Sequence, residues 1–159
     1  MCFTAAPAIA EVIEGRVIGV ADGDTLIILD SGKAQRRIRI GAIDAPEKGQ
    51  AWANRSRRGL AQMIAGTDVI ADCHKIDRYK RHVCKVWTAP ADCPTCTKTL
   101  DVGLAQIAAG LAWYYKAYEN EQPTDDRLRY AVAEKEARAR RIGLWLDVNA
   151  APPWEWRRK

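Results

Sequence analysis

The 159-residue sequence contains no apolar run close to the roughly 20 residues that are needed to cross a bilayer. It also has no internal repeat and no domain linker, so its length predicts one domain with a single core. Histidine occurs only at His74 and His82, and neither has the neighbours of a catalytic triad. These absences argue against a membrane-spanning protein, a repeat protein and a catalytic role for histidine.

A complete secretory signal is missing as well. Residues 1–10 lack a positively charged region and a long apolar core, although Ala8-Ile9-Ala10 has the small-x-small form that precedes cleavage sites. Two interpretations stay open, the trimmed end of a signal and a frayed tail before the first strand. We predict a domain over residues 11–147, with terminal extensions at 1–10 and 148–159.

The composition is that of a globular protein with a basic surplus. Hydrophobic residues make up 48% and charged residues 28%, and the formal net charge is +5 with a pI near 9.0. A basic protein attracts polyanions through phosphate contacts and counterion release. This charge favours a nucleic-acid partner without establishing one.

Five cysteines are present, and four of them lie in one short stretch: Cys73, Cys84, Cys93 and Cys96. Disulfides, a structural zinc site and free thiols compete as interpretations. Zinc sites usually combine two close Cys-x-x-Cys pairs, whereas Cys73 and Cys84 are separated by ten residues. Disulfides are therefore preferred and zinc stays open, while Cys2 has no obvious partner. An extracytoplasmic location, periplasmic or secreted, is the matching expectation.

Hydrophobic periodicity predicts an α+β fold. Alternating and β-branched segments predict five strands, at residues 11–20, 25–29, 36–43, 68–73 and 82–87. Helical patterns cover about 53–65, 100–109 and 124–141, a brief strand is possible at 111–114, and the proline- and tryptophan-rich tail is predicted to be irregular. Five strands with inserted and appended helices fit a closed OB-type barrel, a fold that binds nucleic acids on one face.

Three short segments carry the chemistry: residues 22–25 (Asp-Gly-Asp-Thr), 39–47 and 77–81. Asp24 follows a glycine turn and Asp44 ends a strand before a proline, so both occupy strand ends where side chains can converge. Carboxylate and carbonyl oxygens are the ligands that calcium and magnesium prefer. Taken singly, each segment is better explained as a solvated turn, a strand exit or a surface cation. Their occurrence together favours hydrolysis of a phosphodiester.

The order of these motifs resembles the staphylococcal nuclease (thermonuclease) family, from about residue 12 to residue 145. The resemblance is carried by the following features: residues 22–25, Arg39 five residues before Asp44, residues 44–47 (Asp-Ala-Pro-Glu), residues 77–81 (Asp-Arg-Tyr-Lys-Arg) and residues 143–145 (Gly-Leu-Trp). It implies a five-stranded OB-fold barrel with three helices.

The resemblance also implies roles for individual residues. Asp24, Asp44 and the carbonyl of Ala45 would bind Ca²⁺, and Glu47 would act as general base or position the water. Arg39 and Arg81 would clamp the phosphate, a role that suits a planar guanidinium with permanent charge.

Substrate contacts are expected on the same side. The resemblance suggests that Arg78 and Tyr79 touch the terminal nucleotide. Tyr115 and Tyr118 belong to an aromatic cluster that can stack bases, although simple packing explains such tyrosines equally well. The expected substrates are DNA and RNA, cleaved with little sequence specificity, and the expected state is a monomer.

Two residues depart from the family pattern. Ala45 replaces the threonine of the secreted prototype, which removes a hydroxyl but keeps the carbonyl. Lys80 replaces the usual glycine, and a positive φ there would strain a lysine and shift Arg81. Two further hypotheses stay open: a catalytically silent OB module that binds nucleic acid or protein, and a zinc-stabilised adaptor.

Overall fold

A computed structural model describes residues 10–159 of the chain. Cys2 and nearly all of the signal-like segment lie outside the described residues. Numbered in chain order, the strands are β1 (Glu11–Val20), β2 (Thr25–Asp30), β3 (Gln35–Ile40), β4 (Ile43–Asp44), β5 (Asp68–Ile76), β6 (His82–Thr88), β7 (Leu100–Asp101) and β8 (Trp113–Tyr114). The helices are α1 (Ala53–Ile64), α2 (Val102–Ala108), α3 (Thr124–Ala139) and α4 (Pro153–Trp156).

A closed barrel forms the centre of the part of the chain that the structure describes. Strands β3, β2, β1, β5 and β6 are hydrogen-bonded in that order, and β3 also pairs with β6 in parallel. That last pairing joins the two edges, which removes the open edge of the sheet. The predicted fold class, an α+β protein with a five-stranded OB-type barrel, is confirmed.

The period-two pattern of β3 explains how one strand serves both the core and a polar surface. Ile38 and Ile40 are buried in the barrel, while Arg37 and Arg39 point to the other face. The strand ends at Ile40 rather than at residue 43, because Ala42 adopts a left-handed conformation with φ of 66°. The chain therefore turns before β4, which pairs with β8 instead of continuing the barrel.

Helices cover the barrel with their apolar faces. Helix α1 buries Leu60 and Ile64 and ends within a residue of its predicted position. Helix α2 starts later than predicted because Asp101 caps it, accepting a hydrogen bond from the backbone N–H of Leu104 at 3.1 Å. Helix α3 is tied to that cap, since the Tyr130 hydroxyl donates to Asp101 at 2.8 Å.

The clustered cysteines are paired as disulfides. Cys73 and Cys84 are directly opposed on β5 and β6, and Cys93 joins Cys96 within the polar loop. No cluster of three or more His, Cys, Asp or Glu side chains within residues 10–159 is arranged to hold a metal ion. The structure therefore supports the disulfide interpretation and does not favour structural zinc.

The C-terminal tail differs from the prediction. Instead of being irregular, it contains the single helical turn α4, which begins at Pro153. A proline is tolerated at the first position of a helix because the N–H that it lacks would have no partner within the helix there. Trp154 packs edge-on against Trp113, with ring centroids 5.6 Å apart. No helix within the described range is long and apolar enough to cross a membrane.

Candidate active site

A cleft of about 820 Å³ opens beside the turn after β1 and the break between β3 and β4. Every predicted site residue lies on its wall: Asp24, Arg39, Asp44, Ala45, Glu47, Arg78, Tyr79, Arg81, Tyr115 and Tyr118. These residues come from separate segments of the chain, and the barrel brings them to one mouth.

The turn between β1 and β2 fixes Asp24. The side chain of Asp22 accepts a hydrogen bond from the backbone N–H of Asp24 at 3.0 Å. Gly23 has no space for a side chain, since an added Cβ would lie 1.8 Å from the Ser56 hydroxyl oxygen and 2.7 Å from the Cβ of Ala45. The turn is thereby pressed against helix α1 and the Ala45 segment, and the Asp24 carboxylate is buried.

The Asp24 carboxylate is bound directly to the neighbouring strand end. Its Oδ2 accepts from the backbone N–H of Ala45 at 2.7 Å, and its Oδ1 accepts from the Thr25 hydroxyl at 3.1 Å. Ala45 is buried, which agrees with its small side chain. This cross-link sets the distance between the turn and the segment that carries Asp44.

Arg39 joins the two buried carboxylates. Its Nη2 lies 3.3 Å from Asp24 Oδ2 and also 3.3 Å from Asp44 Oδ1. Its Nη1 donates to the carbonyl of Ile40. Asp24 and Asp44 therefore converge on one nitrogen rather than pointing apart, and the guanidinium compensates the repulsion between them.

Burial raises the pKa values of carboxyls in this group. The pKa of Asp44 is raised because it is buried, although hydrogen bonding from Arg157 and the charge of Arg39 oppose the rise. The pKa of Asp22 is raised to about 6 by burial and then by the nearby charge of Asp24. The site thus concentrates acidic groups in a desolvated position, where Arg39 and Arg157 compensate the charge of Asp44.

Arg81 is held on the opposite wall by its own loop. Asp77 accepts from the Arg81 backbone N–H at 3.0 Å and from its Nε at 2.8 Å. Burial alone would raise the pKa of Asp77, but these hydrogen bonds hold it below its ordinary value. The Arg81 Nη1 also lies 3.4 Å from the Thr25 hydroxyl, next to Asp24.

The strain anticipated at Lys80 is present. Lys80 has φ of 61°, and its N–H donates to the carbonyl of Asp77 in the tight turn that precedes Arg81. A left-handed conformation is unfavourable for a residue with a Cβ. Arg81 nevertheless remains on the cleft wall, because Asp77 holds both its backbone and its side chain.

Replacing Lys80 with glycine should stabilise the fold. The substitution removes the cost of the left-handed conformation, roughly 1–2 kcal/mol. The greater freedom of glycine in the unfolded chain opposes this gain by about 0.4–1 kcal/mol. We expect the free energy of unfolding, measured by urea denaturation, to increase by about 1 kcal/mol. Lys80→Ala is the matched control, since it removes the charge but keeps the Cβ. Equal stability of the two variants would show that the lysine is not strained.

Aromatic side chains form the outer part of the cleft. Tyr79 is 59% exposed, and the guanidinium groups of Arg78 and Arg81 lie 5.0 and 5.3 Å from its ring centroid. Tyr115 and Tyr118 meet edge to face at 5.5 Å. Exposed rings beside cations are typical of surfaces on which bases stack.

The aromatic cluster is divided between core and cleft. Tyr114 and Trp113 are both buried. Tyr118 is 51% exposed and carries the ammonium group of Lys75 at 4.1 Å from its ring centroid. Of the residues that sequence reasoning left out, Lys75 and its partner Glu121, 2.6 Å away, line the same cleft.

Arg157 is the residue of the site that sequence reasoning missed most clearly. Its Nη2 lies 2.7 Å from Asp44 Oδ2, and its Nη1 lies 3.1 Å from Asp44 Oδ1 and 2.5 Å from Glu47 Oε1. These hydrogen bonds raise the pKa of Arg157 above its ordinary value. Arg157 lies three residues after Trp154, but this spacing indicates a place in the cleft only when the packing of Trp154 is already known.

Comparisons with known proteins show which family the sequence resembles. The family model described as staphylococcal nuclease homologue matches residues 37–147, a range that begins after Asp24 and ends before the tail. Protein ParB of Escherichia coli is 38% identical over 155 residues, covering 98% of this chain and 84% of that protein. A micrococcal nuclease of Shigella flexneri is 39% identical over 153 residues, covering 96% of this chain and 84% of that protein.

A third relative extends the same similarity. An uncharacterized endonuclease of Escherichia coli O157:H7 is 37% identical over 153 residues, which covers 96% of this chain and 90% of that protein. The similarity to these relatives therefore reaches well beyond the range of the family model, over nearly the whole sequence.

Proposed function

The chain belongs to the staphylococcal nuclease homologue family, and we propose that it is a Ca²⁺-dependent phosphodiesterase that hydrolyses DNA and RNA with little sequence specificity. The observation that carries this proposal is the meeting of Asp24 and Asp44 on one nitrogen of Arg39. Glu47 and Arg81 line the same cleft. The cleft thus contains carboxylates that can bind a cation, a candidate general base, and arginines that can bind a phosphate.

The donor set suits a hard divalent cation. Asp24 and Asp44 are buried carboxylates that converge, and the Ala45 carbonyl is the main-chain oxygen that we assign to the same cation. Such oxygen ligands match the preference of calcium, which also accepts solvent oxygens to complete its shell. When bound, the cation would supply Lewis-acid stabilisation of charge on the phosphate.

The arginines bind the phosphodiester and stabilise its growing negative charge. We assign this role to Arg39 and Arg81, which contact the adjacent residues Asp24 and Thr25 respectively. Fixed guanidinium donors in a partly buried site cost little reorganisation when the charge develops. Arg39 is anchored to carboxylates and Arg81 to Asp77, so both forks are oriented before the substrate arrives.

Glu47 orients the attacking water and accepts its proton. Its side chain is 39% exposed at the cleft, which gives it access to solvent, and its backbone N–H is fixed by the side-chain oxygen of Gln50 at 2.9 Å. General-base assistance of this kind typically contributes about 10²–10⁴-fold to a rate. The hydrolysis forms a bond from the water oxygen to phosphorus and breaks one phosphorus–oxygen ester bond, and the leaving oxygen takes up a proton from solvent.

Substrate binding is assigned to the outer wall. Arg78, Tyr79, Tyr115 and Tyr118 all line the cleft and offer a cation and aromatic rings to a nucleotide. Since every base has an aromatic face, stacking explains low sequence specificity. Bases must leave the duplex to stack, so unpaired or fraying strands should be cut in preference to stiff duplex.

We also propose that the protein works as a monomer in an oxidising compartment outside the cytoplasm. The two disulfides among the described residues support the compartment, because such bonds are rare where thiols are kept reduced. Thiol titration of protein isolated from its native source tests it: free thiols at these four cysteines would contradict the proposal.

Cleavage of single-stranded DNA should require calcium. A chelator should abolish the cleavage, added Ca²⁺ should restore it, and Asp24→Ala should raise the calcium concentration needed for half-maximal rate. Asp68→Ala is the matched control, since that aspartate pairs with Arg16 on an exposed part of the barrel. Cleavage that ignores the chelator, or binding of DNA without any cleavage, would contradict the proposal, and the latter would favour a silent binding module.

A further inference from the structure

The C-terminal tail places a permanent cation against the carboxylates of the cleft. The Arg157 guanidinium engages both oxygens of Asp44, at 2.7 and 3.1 Å, and at the same time one oxygen of Glu47 at 2.5 Å. Asp44 is 2% exposed, whereas 40% of the Arg157 side chain is accessible, so the guanidinium reaches a buried carboxylate from the solvent side. A guanidinium is always charged, and its planar fork fits a carboxylate in this way.

The tail that carries Arg157 is a built element of the fold. Trp154 stacks on Tyr115 with ring centroids 5.5 Å apart and meets Trp113 edge-on. Three residues before Trp154, the carbonyl of Ala151 accepts a hydrogen bond from the side-chain amide of Gln50 at 2.6 Å. One helical turn then separates Trp154 from Arg157, and residues three apart lie on the same side of a helix. The aromatic anchor therefore directs the arginine into the cleft.

This contact conflicts with the role assigned to Asp44. Both oxygens of Asp44 are used by Arg157, and Arg39 already approaches the same carboxylate at 3.3 Å. A divalent cation bound there as well would put a further positive charge against two guanidinium groups in a desolvated position, where like charges repel strongly. The two cations are therefore alternatives at this carboxylate.

We propose that Arg157 and the divalent cation exchange at Asp44, so that binding of the metal releases the guanidinium together with its hold on Glu47. The inference depends on the proposed function, because it takes Asp44 as a metal ligand. In the absence of metal, Arg157 keeps Asp44 and Glu47 in place and balances their charge. Binding of metal frees Glu47 to orient the attacking water and accept its proton. The activity of the general base therefore depends on the presence of the cation. Arg157 is thus a positioning residue that also weakens the affinity for metal.

Calcium affinity of the free protein tests the exchange without any nucleic acid. Isothermal titration should show that Arg157→Ala binds Ca²⁺ about tenfold more tightly than the natural sequence, because no competing contact has to be broken. The gain is kept this small because Arg157 is partly exposed, with 40% of its side chain accessible. Arg157→Lys retains a charge without the fork, so its affinity should lie between the two.

The neighbouring arginine provides the control. Arg158→Ala removes the same charge one residue further along, where the side chain faces a different cleft, and its calcium affinity should match that of the natural sequence. Hydrogen exchange of residues 150–159 in the natural protein should become faster when Ca²⁺ is added. Thermal unfolding of each variant establishes that it is folded before titration.

The possible results separate this inference from the proposed function. If Arg157→Ala binds Ca²⁺ no more tightly than the natural protein, or if bound calcium leaves the hydrogen-exchange rates of the tail unchanged, the competition between Arg157 and the metal is overturned and the nuclease proposal stands. If neither protein binds Ca²⁺, the proposed calcium dependence and the proposed competition fail together.

Discussion

Replacing Glu47 with glutamine should lower kcat on single-stranded DNA by about 10²–10⁴-fold, the range of general-base assistance. Glutamine has the same shape and, in the absence of metal, can still accept the hydrogen bond that Glu47 accepts from Arg157, so the variant should keep its fold. It cannot take a proton from water. Steady-state kinetics at saturating Ca²⁺ measure kcat and KM separately, and KM should change little because the carboxylate is not assigned to substrate binding.

The matched control for Glu47 is another carboxylate on the same cleft. Glu121→Gln also removes one negative charge, but Glu121 is paired with Lys75 and His74. Within the described part of the chain, it forms no ion pair or hydrogen bond with Asp24, Asp44 or Arg39. We expect its kcat to stay close to that of the natural protein. The residual rate of Glu47→Gln should also rise with pH, since hydroxide no longer needs a base. Unchanged turnover in Glu47→Gln would remove the assignment of water activation.

Arg81→Ala should lower kcat by about 10²–10³-fold, the loss that follows removal of one preorganised donor to a developing charge. The effect should fall on kcat more than on KM, because the negative charge on the phosphate grows in the transition state. Arg81→Lys keeps the charge but loses the bidentate fork, so it should recover only part of the rate. Steady-state kinetics on the same DNA, with circular dichroism to monitor the fold, make the measurement.

Arg37→Ala is the electrostatic control for Arg81. Arg37 lines the same cleft from the exposed side of β3, so its loss changes the charge of the cleft equally. A cleft that acts only by its net charge would give both variants the same deficit, mainly in KM. A large kcat deficit in Arg81→Ala alone would support a specific contact to the reacting phosphate.

The local features of this protein could be predicted because neighbouring residues decide them. The alternation in β3 sends Ile38 and Ile40 to the core, and the limits of helix α1 follow from its apolar spacing and the glycine after it. Strain at Lys80 could be predicted for the same reason, since the turn before Arg81 needs a residue in the left-handed conformation. The roles of the individual site residues remain predictions that the variants above will test.

The arrangement of the site depended on contacts between distant segments. No local pattern specifies that Asp24 and Asp44 share one nitrogen of Arg39. That geometry follows from the pairing of Thr25 with Arg39 between β2 and β3 and from the hydrogen bond of the Ala45 N–H to Asp24. The delayed start of helix α2 likewise followed from Asp101, whose carboxylate both caps the helix and accepts from Tyr130. Sequence reasoning extended that helix because Leu100 continues its apolar pattern.

By itself, the sequence determined which residues are available for the chemistry, the strands and helices that hold them and the family to which the chain belongs. Those properties reside in periodicity and in short motifs, which are local. Only the tertiary structure decided that the tail returns to the cleft and sets Arg157 on Asp44 and Glu47, more than a hundred residues away in the chain. That contact depends on Trp154 finding Tyr115 and Trp113, and packing between distant aromatic rings leaves no periodic trace in a sequence.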